Sequence, residues 1–458
     1  MIAPDATLVA SRYNTFTVSA IPGTYLAFNV FTGALLELEA ADYAAVEPLD
    51  GKPGSVAPDR IAPVLRERLL AAGVLVPQGF DERAALFDLR RKYIDASDTL
   101  LLTLAPTIQC NFRCTYCFET HRQEVMTPKI ETDLMRFIAH NAHGTRAITT
   151  TWFGGEPLLE PDTIERVQRF TNELGNARGL KVSRGIVTNG YFLTPDVIGR
   201  LQALGEWEMV QVTLDGPPPV HNSRRVLLGG QGTWDRIIAN CRTAIGMGLR
   251  INLRVNVDRR NVSLLGTLLD RLIAEGILPG ASIGLGFVTD STTACSHVKN
   301  DVLTDEDRAR ISIWFEGALL RRNLLPSSGL PSPLCGPMCS VESKRGYVIA
   351  PSGLIFKCWH QIDGSAEQAI GHVSGTPVPN AEAELERWTR YDPAQRKGCS
   401  NCKALPTCQG GCPWEYERLA RVHNGECDSF RFFPKELVKI GHLRSRVGQG
   451  QPAVRLAV

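Results

Sequence analysis

The chain has 458 residues, which is enough for two or three domains that each bury a core. Its 50 lysines and arginines nearly balance 48 aspartates and glutamates, so its charge gives no indication of a nucleic-acid partner. The first residues lack the basic and apolar segments of a secretory signal, and no apolar run is long enough to cross a membrane. We therefore expect a cytoplasmic location with no membrane partner. Thirteen cysteines in that compartment favour metal or cluster binding over disulfides.

Residues 1–95 contain no cysteine and form the first predicted domain. Two apolar segments, 25–31 and 34–38, lie on either side of a Thr-Gly pair and predict a β-hairpin with a glycine turn. Segments 40–49 and 61–72 have the apolar spacing of short helices. This small α+β unit is similar to winged-helix or leader-peptide recognition modules that are fused to peptide-modifying enzymes. The alternative is an extension that only packs on the next domain.

The second predicted domain, residues 96–325, has apolar strands that alternate with helical patterns. The predicted strands are 100–105, 147–153, 182–187, 209–214, 250–257 and 282–288. The predicted helices lie near 129–142, 162–175, 195–203, 234–247, 263–275 and 304–321. Such units predict an α/β fold with a parallel sheet and helices outside it. Reaction sites in barrels of this kind lie at the carboxyl ends of the strands.

Three cysteines follow the first predicted strand at the spacing C-x3-C-x2-C: Cys110, Cys114 and Cys117. Three thiolates on one loop can hold three irons of a [4Fe-4S] cluster and leave the fourth iron open to another ligand. The alternative, three buried or disulfide-bonded cysteines, is disfavoured because this triplet would seldom arise by chance. The loop is therefore predicted to bind a cluster.

With Tyr116 before its last cysteine, this loop resembles the signature of radical S-adenosylmethionine (radical SAM) enzymes. The resemblance implies a partial (β/α)6 TIM-like barrel whose three loop cysteines hold the cluster. It also implies that the amine and carboxylate of S-adenosylmethionine occupy the open iron. One electron then releases a 5′-deoxyadenosyl radical, which abstracts a hydrogen atom from the substrate.

The ends of the second and third predicted strands carry further candidates. Gly154, Gly155 and Glu156 follow the second strand; the glycines allow close approach of a ligand, and the carboxylate can accept from an ammonium group. In the resembled family this motif holds the amino group of the cofactor, and we expect the same here. Thr188 and Asn189 end the third strand and resemble positions that face the nucleoside or the substrate. Both are also ordinary turn residues.

Three further site residues are predicted from the fourth and fifth strands. Asp215 follows the fourth strand and is the candidate for proton transfer, although an Asp-Gly-Pro sequence is also a common turn. Asn256 ends the fifth strand, and Arg225, or its neighbour Arg224, follows the fourth. We expect Asn256 and Arg225 to contact the cofactor.

Four other residues have weaker patterns. Glu119 and His360 are further candidates for proton transfer, but solvation or capping explains them equally well. Cys241 lies within a helical pattern, where a small buried side chain is expected. Cys295 is a lone cysteine in a polar loop.

Residues 326–458 form the third predicted domain and hold eight cysteines. These are Cys335, Cys339, Cys358, Cys399, Cys402, Cys408, Cys412 and Cys427. Two sites with four thiolates each would use all eight. Spacing alone would group the four cysteines from Cys399 to Cys412. Zinc is the alternative to iron, because C-x2-C pairs are zinc ligands too.

This arrangement resembles the SPASM extension, a cysteine-rich iron–sulfur domain with two auxiliary [4Fe-4S] clusters. The resemblance implies that the first cluster is held by Cys335, Cys339, Cys358 and Cys412. It implies that the second is held by Cys399, Cys402, Cys408 and Cys427. Without Cys335, the first cluster would have an open iron. The expected cofactors are thus three [4Fe-4S] clusters and S-adenosylmethionine.

Together the two resemblances predict an oxidoreductase that matures a ribosomally made precursor peptide. Such enzymes form thioether or carbon–carbon cross-links or make other oxidative modifications, and a flavodoxin- or ferredoxin-like protein is the expected electron donor. One alternative is a formylglycine-forming sulfatase maturase, but that family has an aspartate where Trp359 follows Cys358. A SPASM dehydrogenase of a small molecule is another. A non-enzymatic electron carrier or zinc scaffold would not need the Gly-Gly-Glu motif.

Overall fold

The computed structural model describes residues 7–56, 61–95, 98–325, 330–331, 339–396, 398–417 and 427–448. Cys335, a predicted ligand of the first auxiliary cluster, lies outside these residues. Among the helices in the described ranges, none combines the length and apolar character that a membrane crossing requires.

The N-terminal module consists of a three-stranded antiparallel sheet, a second strand pair and three helices. Its strands are β1 (Leu8–Ala10), β2 (Asn14–Val18), β3 (Tyr25–Asn29), β4 (Ala34–Leu38) and β5 (Leu75–Pro77). Its helices are α1 (Ala40–Val46), α2 (Pro63–Ala71) and α3 (Glu82–Asp95). The predicted hairpin is β3–β4, in which Asn29 pairs with Ala34. Sequence patterns missed β1, β2 and α3.

A nine-stranded sheet forms the centre of the molecule, in the order β13-β12-β10-β9-β8-β6-β14-β15-β16. The last three strands, β14 (Gly346–Ile349), β15 (Leu354–Phe356) and β16 (Gly371–His372), come from the C-terminal region. The strands of the sheet's barrel part are β6 (Thr99–Leu104), β8 (Ala147–Trp152), β9 (Lys181–Thr188), β10 (Met209–Thr213), β12 (Ile251–Val257) and β13 (Ser282–Phe287). A separate small pair consists of β7 (Phe112–Cys114) and β11 (Arg225–Leu227). The six predicted strands are present as β6, β8, β9, β10, β12 and β13, all parallel to their neighbours. This confirms the α/β fold with a parallel barrel sheet.

The helices of the barrel follow the strands in alternation; six of them match the predicted helices, and one short helix, Pro218–Arg224, was not predicted. They are α4 (Pro128–Asn141), α5 (Pro161–Arg178), α6 (Pro195–Ala203), α7 (Pro218–Arg224), α8 (Trp234–Gly246), α9 (Leu265–Ala274) and α10 (Asp305–Arg321). Threonine hydroxyls cap the first turns of α4, α6 and α10, because each accepts from a backbone N–H. Apolar side chains of the strands, among them Leu102, Trp152 and Leu253, are buried in one core with those of the helices. That core fixes the strand ends on which the site residues lie.

The C-terminal region continues the barrel sheet. Its elements are β14 (Gly346–Ile349), β15 (Leu354–Phe356), β16 (Gly371–His372), α11 (Ala381–Thr389), α12 (Leu405–Cys408), α13 (Pro413–Glu417), α14 (Ser429–Phe432) and α15 (Pro434–Gly448). Strand β14 pairs in parallel with β6, on the edge opposite β8. The domain boundary that we predicted at residue 326 therefore does not separate two sheets.

The N-terminal module packs on the cysteine-rich region. Tyr13, Leu26 and Phe28 share a buried cluster with Leu405 and Phe430, and three cysteines lie against the same cluster: Cys399, Cys402 and Cys408. The alternative that we considered, an extension that only packs on the barrel, does not include this contact with the cysteine-rich region. The module is thus placed to support one group of C-terminal cysteines.

We expect Phe28→Ala to destabilise this junction. Phe28 is completely buried, and its ring meets that of Phe430 edge-on at 5.9 Å between centroids. Truncation of such a side chain costs about 3–5 kcal/mol of unfolding free energy. Denaturant unfolding measures the loss. Phe80→Ala is the control, because Phe80 is 49% exposed; equal losses in both variants would contradict the packing.

Candidate active site

The cysteine loop is clamped between the first barrel strand and the segment after the fourth. Strand β7, within the loop, pairs antiparallel with β11, so that Cys114 lies opposite Arg225. The backbone N–H of Thr115 also donates to the carbonyl of Arg224 at 3.0 Å. The loop is therefore fixed at the carboxyl ends of the strands, and Arg225 is adjacent to its central cysteine.

A cavity of about 330 Å³ opens beside this loop. Ten of the predicted site residues lie on its wall: Cys110, Cys114, Tyr116, Cys117, Gly154, Gly155, Thr188, Asn189, Arg225 and Asn256. Glu156 and Asp215 are completely buried and do not line it. The structure therefore brings the ends of five strands (β8, β9, β10, β12 and β13) to one chamber with the cysteine loop.

The two glycines let the second strand end pack tightly against the cysteine loop. A Cβ atom on Gly154 would lie 2.4 Å from the carbonyl oxygen of Thr107, and one on Gly155 would lie 2.2 Å from that of Gln109. Gly154 also has φ of +109°, which L side chains rarely adopt. Any larger residue would push the two loops apart.

Glu156 connects the second and third strand ends from behind the cavity wall. Its carboxylate accepts hydrogen bonds from the hydroxyl of Thr188 at 2.7 Å and from the backbone N–H groups of Asn189 at 2.7 Å and Leu158 at 3.0 Å. Burial raises its pKa, and these three hydrogen bonds oppose that shift. Glu156 therefore orients Thr188 and Asn189, both of which face the cavity.

The Tyr116 hydroxyl lies at the centre of a buried polar network. It donates to the carboxylate of Asp215 and accepts from Arg225 at 2.8 Å and from the side-chain amide of Asn256 at 3.2 Å. Asp215 also accepts from the backbone N–H of Asn256 at 3.1 Å. Because its carboxylate is occupied and away from the cavity, the geometry points away from the proton-transfer role predicted for Asp215 and towards positioning of Tyr116.

We expect Tyr116→Phe to cost about 1–3 kcal/mol of unfolding free energy, because it removes the hydroxyl donor from a buried carboxylate. Cofactor affinity should fall as well, since Arg225 and Asn256 lose their shared partner. Thermal unfolding and equilibrium dialysis with S-adenosylmethionine measure the two effects. Tyr191→Phe is a control, because the described contacts of Tyr191 include no hydrogen bond from its hydroxyl. Similar effects in both variants would contradict the network's role.

An aromatic part of the cavity wall contains one predicted candidate, His360, and three residues that were not predicted to line the site. It comprises Phe118, Phe153, Trp359 and His360. Trp359 packs on Phe153 with 4.8 Å between ring centroids, and His360 contacts Phe118 at 4.9 Å. Burial lowers the pKa of His360 to about 4, so its imidazole is neutral. The sequence signal that could have placed Trp359 and His360 in the site is their position directly after Cys358, a predicted cluster ligand.

The remaining sequence candidates do not line the cavity. Glu119 is buried, and burial together with Asp363 raises its pKa to about 8. Cys241 is buried in α8, as expected for a packing residue. Cys295 is buried beside Val288 and Val298. Arg224, the alternative to Arg225, donates to Asp258 at 2.7 Å.

The chemistry of the loop cysteines fits a metal cluster. Burial raises the pKa of the Cys110 thiol to about 12 and raises the pKa of Cys114 and Cys117 as well. A thiol in such surroundings becomes a thiolate when a metal cation compensates its charge, so binding of iron would release protons. Arg225, next to Cys114, adds a positive charge.

The described C-terminal cysteines fall into two separate groups. Cys399, Cys402, Cys408 and Cys427 line one small cavity. Cys339, Cys358 and Cys412 instead lie in an apolar cluster that also contains Val341, Trp388 and Trp414. This division is the one that the SPASM resemblance implies, and it differs from grouping by spacing alone.

Comparison with known proteins identifies the class. Residues 104–263 match the family model of the radical SAM superfamily. The chain is 23% identical over 348 residues to the serine-type anaerobic sulfatase-maturating enzyme of Klebsiella aerogenes. This alignment covers 71% of this chain and 82% of that enzyme. It is also 39% identical over 108 residues to a GTP 3′,8-cyclase of Haemophilus influenzae, in an alignment that covers 22% of this chain and 29% of that enzyme.

Solved structures share the fold. Native anSMEcpe with bound AdoMet and the Cp18Cys peptide matches with a TM-score of 0.60 and 16% identity, over 76% of this chain and 99% of that one. Streptococcus suis SuiB matches with a TM-score of 0.52 and 13% identity, over 92% of this chain and 99% of that one. The chain thus contains a radical SAM domain. This domain, residues 104–263, marks the chain as an enzyme, and such domains use a [4Fe-4S] cluster and S-adenosylmethionine.

Proposed function

We propose that this enzyme is a maturase of a ribosomally made peptide. The observation that carries the proposal is the cavity itself, in which the three-cysteine loop, the paired glycines and an aromatic wall from the C-terminal region meet. The sulfatase-maturating relatives, which match over most of both chains, support a substrate that is a polypeptide. The expected product is a thioether or carbon–carbon cross-link, or another oxidative modification.

The residues of this chain bind and orient the reactants. Cys110, Cys114 and Cys117 would hold a [4Fe-4S] cluster, and Gly154 and Gly155 would allow the cofactor close to the backbone. When bound and reduced, the cluster and S-adenosylmethionine supply a 5′-deoxyadenosyl radical that abstracts hydrogen. The remaining contacts that we propose for the cofactor are Tyr116, Glu156, Thr188, Asn189, Arg225 and Asn256, with Glu156 acting through Thr188 and Asn189.

We further propose that the two C-terminal groups hold auxiliary [4Fe-4S] clusters, which gives three clusters in all. Cys399, Cys402, Cys408 and Cys427 line one small cavity, while Cys339, Cys358 and Cys412 lie together in another cluster, which is the grouping that two auxiliary clusters require. Zinc held by four thiolates is the alternative. A flavodoxin- or ferredoxin-like protein is the proposed electron donor.

We propose three domains, residues 1–95, 96–325 and 326–458. The first of them, the N-terminal module, is proposed to bind the leader of the precursor peptide. Strand β4 is at the edge of its sheet and pairs with β3 on one side. An extended peptide can add to such an edge through backbone hydrogen bonds. This would hold the peptide near the enzyme while its modified residue enters the cavity.

The formylglycine alternative finds less support in the cavity. Trp359 stands where an aspartate was expected for sulfatase maturation, and it lies on the wall. No aspartate or glutamate lines the described part of that wall. The sulfatase-maturating activity of the relatives is therefore not the activity that we propose here.

Mass spectrometry of a co-expressed peptide tests the proposal. The enzyme would be produced anaerobically with each short open reading frame encoded beside its gene. We expect one such peptide to lose two hydrogens per cross-link, and to keep its mass when co-expressed with Cys110→Ala. A Cys or Ser residue converted to formylglycine would instead establish the alternative. Unchanged masses, although the enzyme forms 5′-deoxyadenosine, would count against a genome-adjacent peptide substrate.

A further inference from the structure

Arg254 is a charged residue of the cavity wall that sequence analysis did not identify. It lies on β12, two residues before Asn256, so the two side chains point to the same face of the sheet. Both line the cavity. The Arg254 Nε group donates to the Asn256 side-chain oxygen at 2.9 Å, and Asn256 in turn donates to Tyr116. Arg254 is thus connected to the cysteine loop through two hydrogen bonds.

The neighbouring strand is shaped to receive this guanidinium. A Cβ atom on Gly286 of β13 would lie 2.2 Å from Nη2, 2.4 Å from Cζ and 2.5 Å from Nε of Arg254. Gly286 pairs in register with Asn256, two positions nearer the carboxyl end than Gly284, the partner of Arg254 itself. The side chain therefore lies across a glycine and extends towards the end of the strands where the cysteine loop lies.

The guanidinium of Arg254 has no counterion among the residues that the structure describes. Among the described residues no carboxylate lies within ion-pair distance of its guanidinium, and its hydrogen bond to Asn256 uses Nε alone. Arg225, the other arginine on the wall, hydrogen-bonds Tyr116 beside Asp215. Since aspartate and glutamate are absent from the described wall, the terminal N–H groups of Arg254 are available to a ligand.

We propose that Arg254 binds a carboxylate of the substrate peptide, either an aspartate or glutamate side chain or a free C-terminus. A guanidinium presents two parallel N–H donors to a carboxylate and so fixes its orientation as well as its position. The cofactor also carries a carboxylate, but Arg225 is the arginine adjacent to the cysteine loop. Arg254 would then select an acidic residue near the modified carbon. This inference depends on the proposed peptide substrate.

The test compares two probe peptides, N-acetyl-Gly-Asp-Gly-amide and N-acetyl-Gly-Asn-Gly-amide, by ligand-observed NMR. The protein is reconstituted, loaded with S-adenosylmethionine and left unreduced. We expect the aspartate peptide to bind wild type about tenfold more tightly than its asparagine counterpart, as suits a charge-assisted pair. In Arg254→Met the ratio should fall to about one. Gly286→Ala, which keeps the charge but displaces the guanidinium, should lower it too.

Arg250→Met is the matched control. Arg250 lies just before the same strand, is largely exposed and pairs with Glu206 outside the cavity, so the wild-type ratio should persist. Equal binding of the two peptides to wild type, or a preference that survives Arg254→Met, would overturn the inference.

A second arm identifies the source of the carboxylate. Equilibrium dialysis compares S-adenosylmethionine with its decarboxylated analogue. If Arg254→Met keeps the wild-type preference for S-adenosylmethionine, the carboxylate belongs to the substrate, as proposed. Loss of that preference would assign Arg254 to the cofactor and overturn the substrate assignment. Formation of 5′-deoxyadenosine by wild type, measured separately, shows whether any failure concerns Arg254 or the enzyme class itself.

Discussion

Cys114→Ala should abolish 5′-deoxyadenosine formation and remove about four irons per chain, the content of one cubane cluster. Cys114 lies on the cavity wall between the other two loop cysteines and is held opposite Arg225 by strand pairing. With two thiolates left, the loop cannot hold three irons. The C-terminal cysteines belong to separate groups, so their iron should remain. Iron analysis and chromatography of the reduced reaction measure both effects.

Cys241→Ala provides the matched control. Cys241 is completely buried in α8 and lies outside all three cysteine groups, so its loss should leave the iron content unchanged. Wild-type iron in Cys114→Ala, or equal losses in the two variants, would contradict the assignment of the loop.

Gly155→Ala should weaken S-adenosylmethionine binding at least about tenfold, because overpacking of a tight contact displaces its backbone. The added Cβ would meet two backbone carbonyl oxygens, at 2.2 Å from Gln109 and 2.5 Å from Ile108. Neither oxygen can move alone, so the glycine segment and the cysteine loop must separate. We also expect a loss of about 1–3 kcal/mol in unfolding free energy. Equilibrium dialysis and denaturant unfolding measure these effects.

Gly199→Ala is the corresponding control on a helix. A Cβ atom on Gly199 of α6 would meet no atom within 4 Å, and alanine favours a helix by up to about 1 kcal/mol over glycine. Cofactor affinity should not change in this variant. If Gly155→Ala also bound the cofactor normally, the close approach at this strand end would have no part in binding.

Local sequence patterns sufficed to predict the barrel strands. Those strands are short, apolar and separated by helices with clear periodicity, and each lies within two residues of its predicted bounds. Strand β1 was missed because its pairing partner, β5, is distant in sequence. Strand β2 pairs with the adjacent β3, but its sequence, NTFTV, has too few apolar residues to stand out. The pairing of β14 with β6 joins residues about 245 positions apart, which no local pattern records.

The site residues also divide into those that local sequence predicts and those that only the three-dimensional structure places. Motif spacing identified the cysteine loop and the glycines, since their chemistry depends on neighbours in sequence. Trp359 and Arg254 were not predicted to line the site, and His360 was predicted only as one of several proton-transfer candidates. Their places in the cavity wall depend on neighbours in space: Phe153, Gly286 and Phe118. Asp215 was assigned a catalytic role because it follows a strand. Its complete burial against Tyr116 became visible only in three dimensions.

With three clusters bound, this chain is proposed to generate a 5′-deoxyadenosyl radical from S-adenosylmethionine. Anaerobic reconstitution of the wild-type protein, followed by iron and sulfide analysis and an assay for 5′-deoxyadenosine after reduction, tests this directly. We expect about twelve irons per chain, four for each cubane, and 5′-deoxyadenosine that requires both reductant and S-adenosylmethionine. Zinc in place of iron, or no 5′-deoxyadenosine from fully loaded protein, would contradict the proposal.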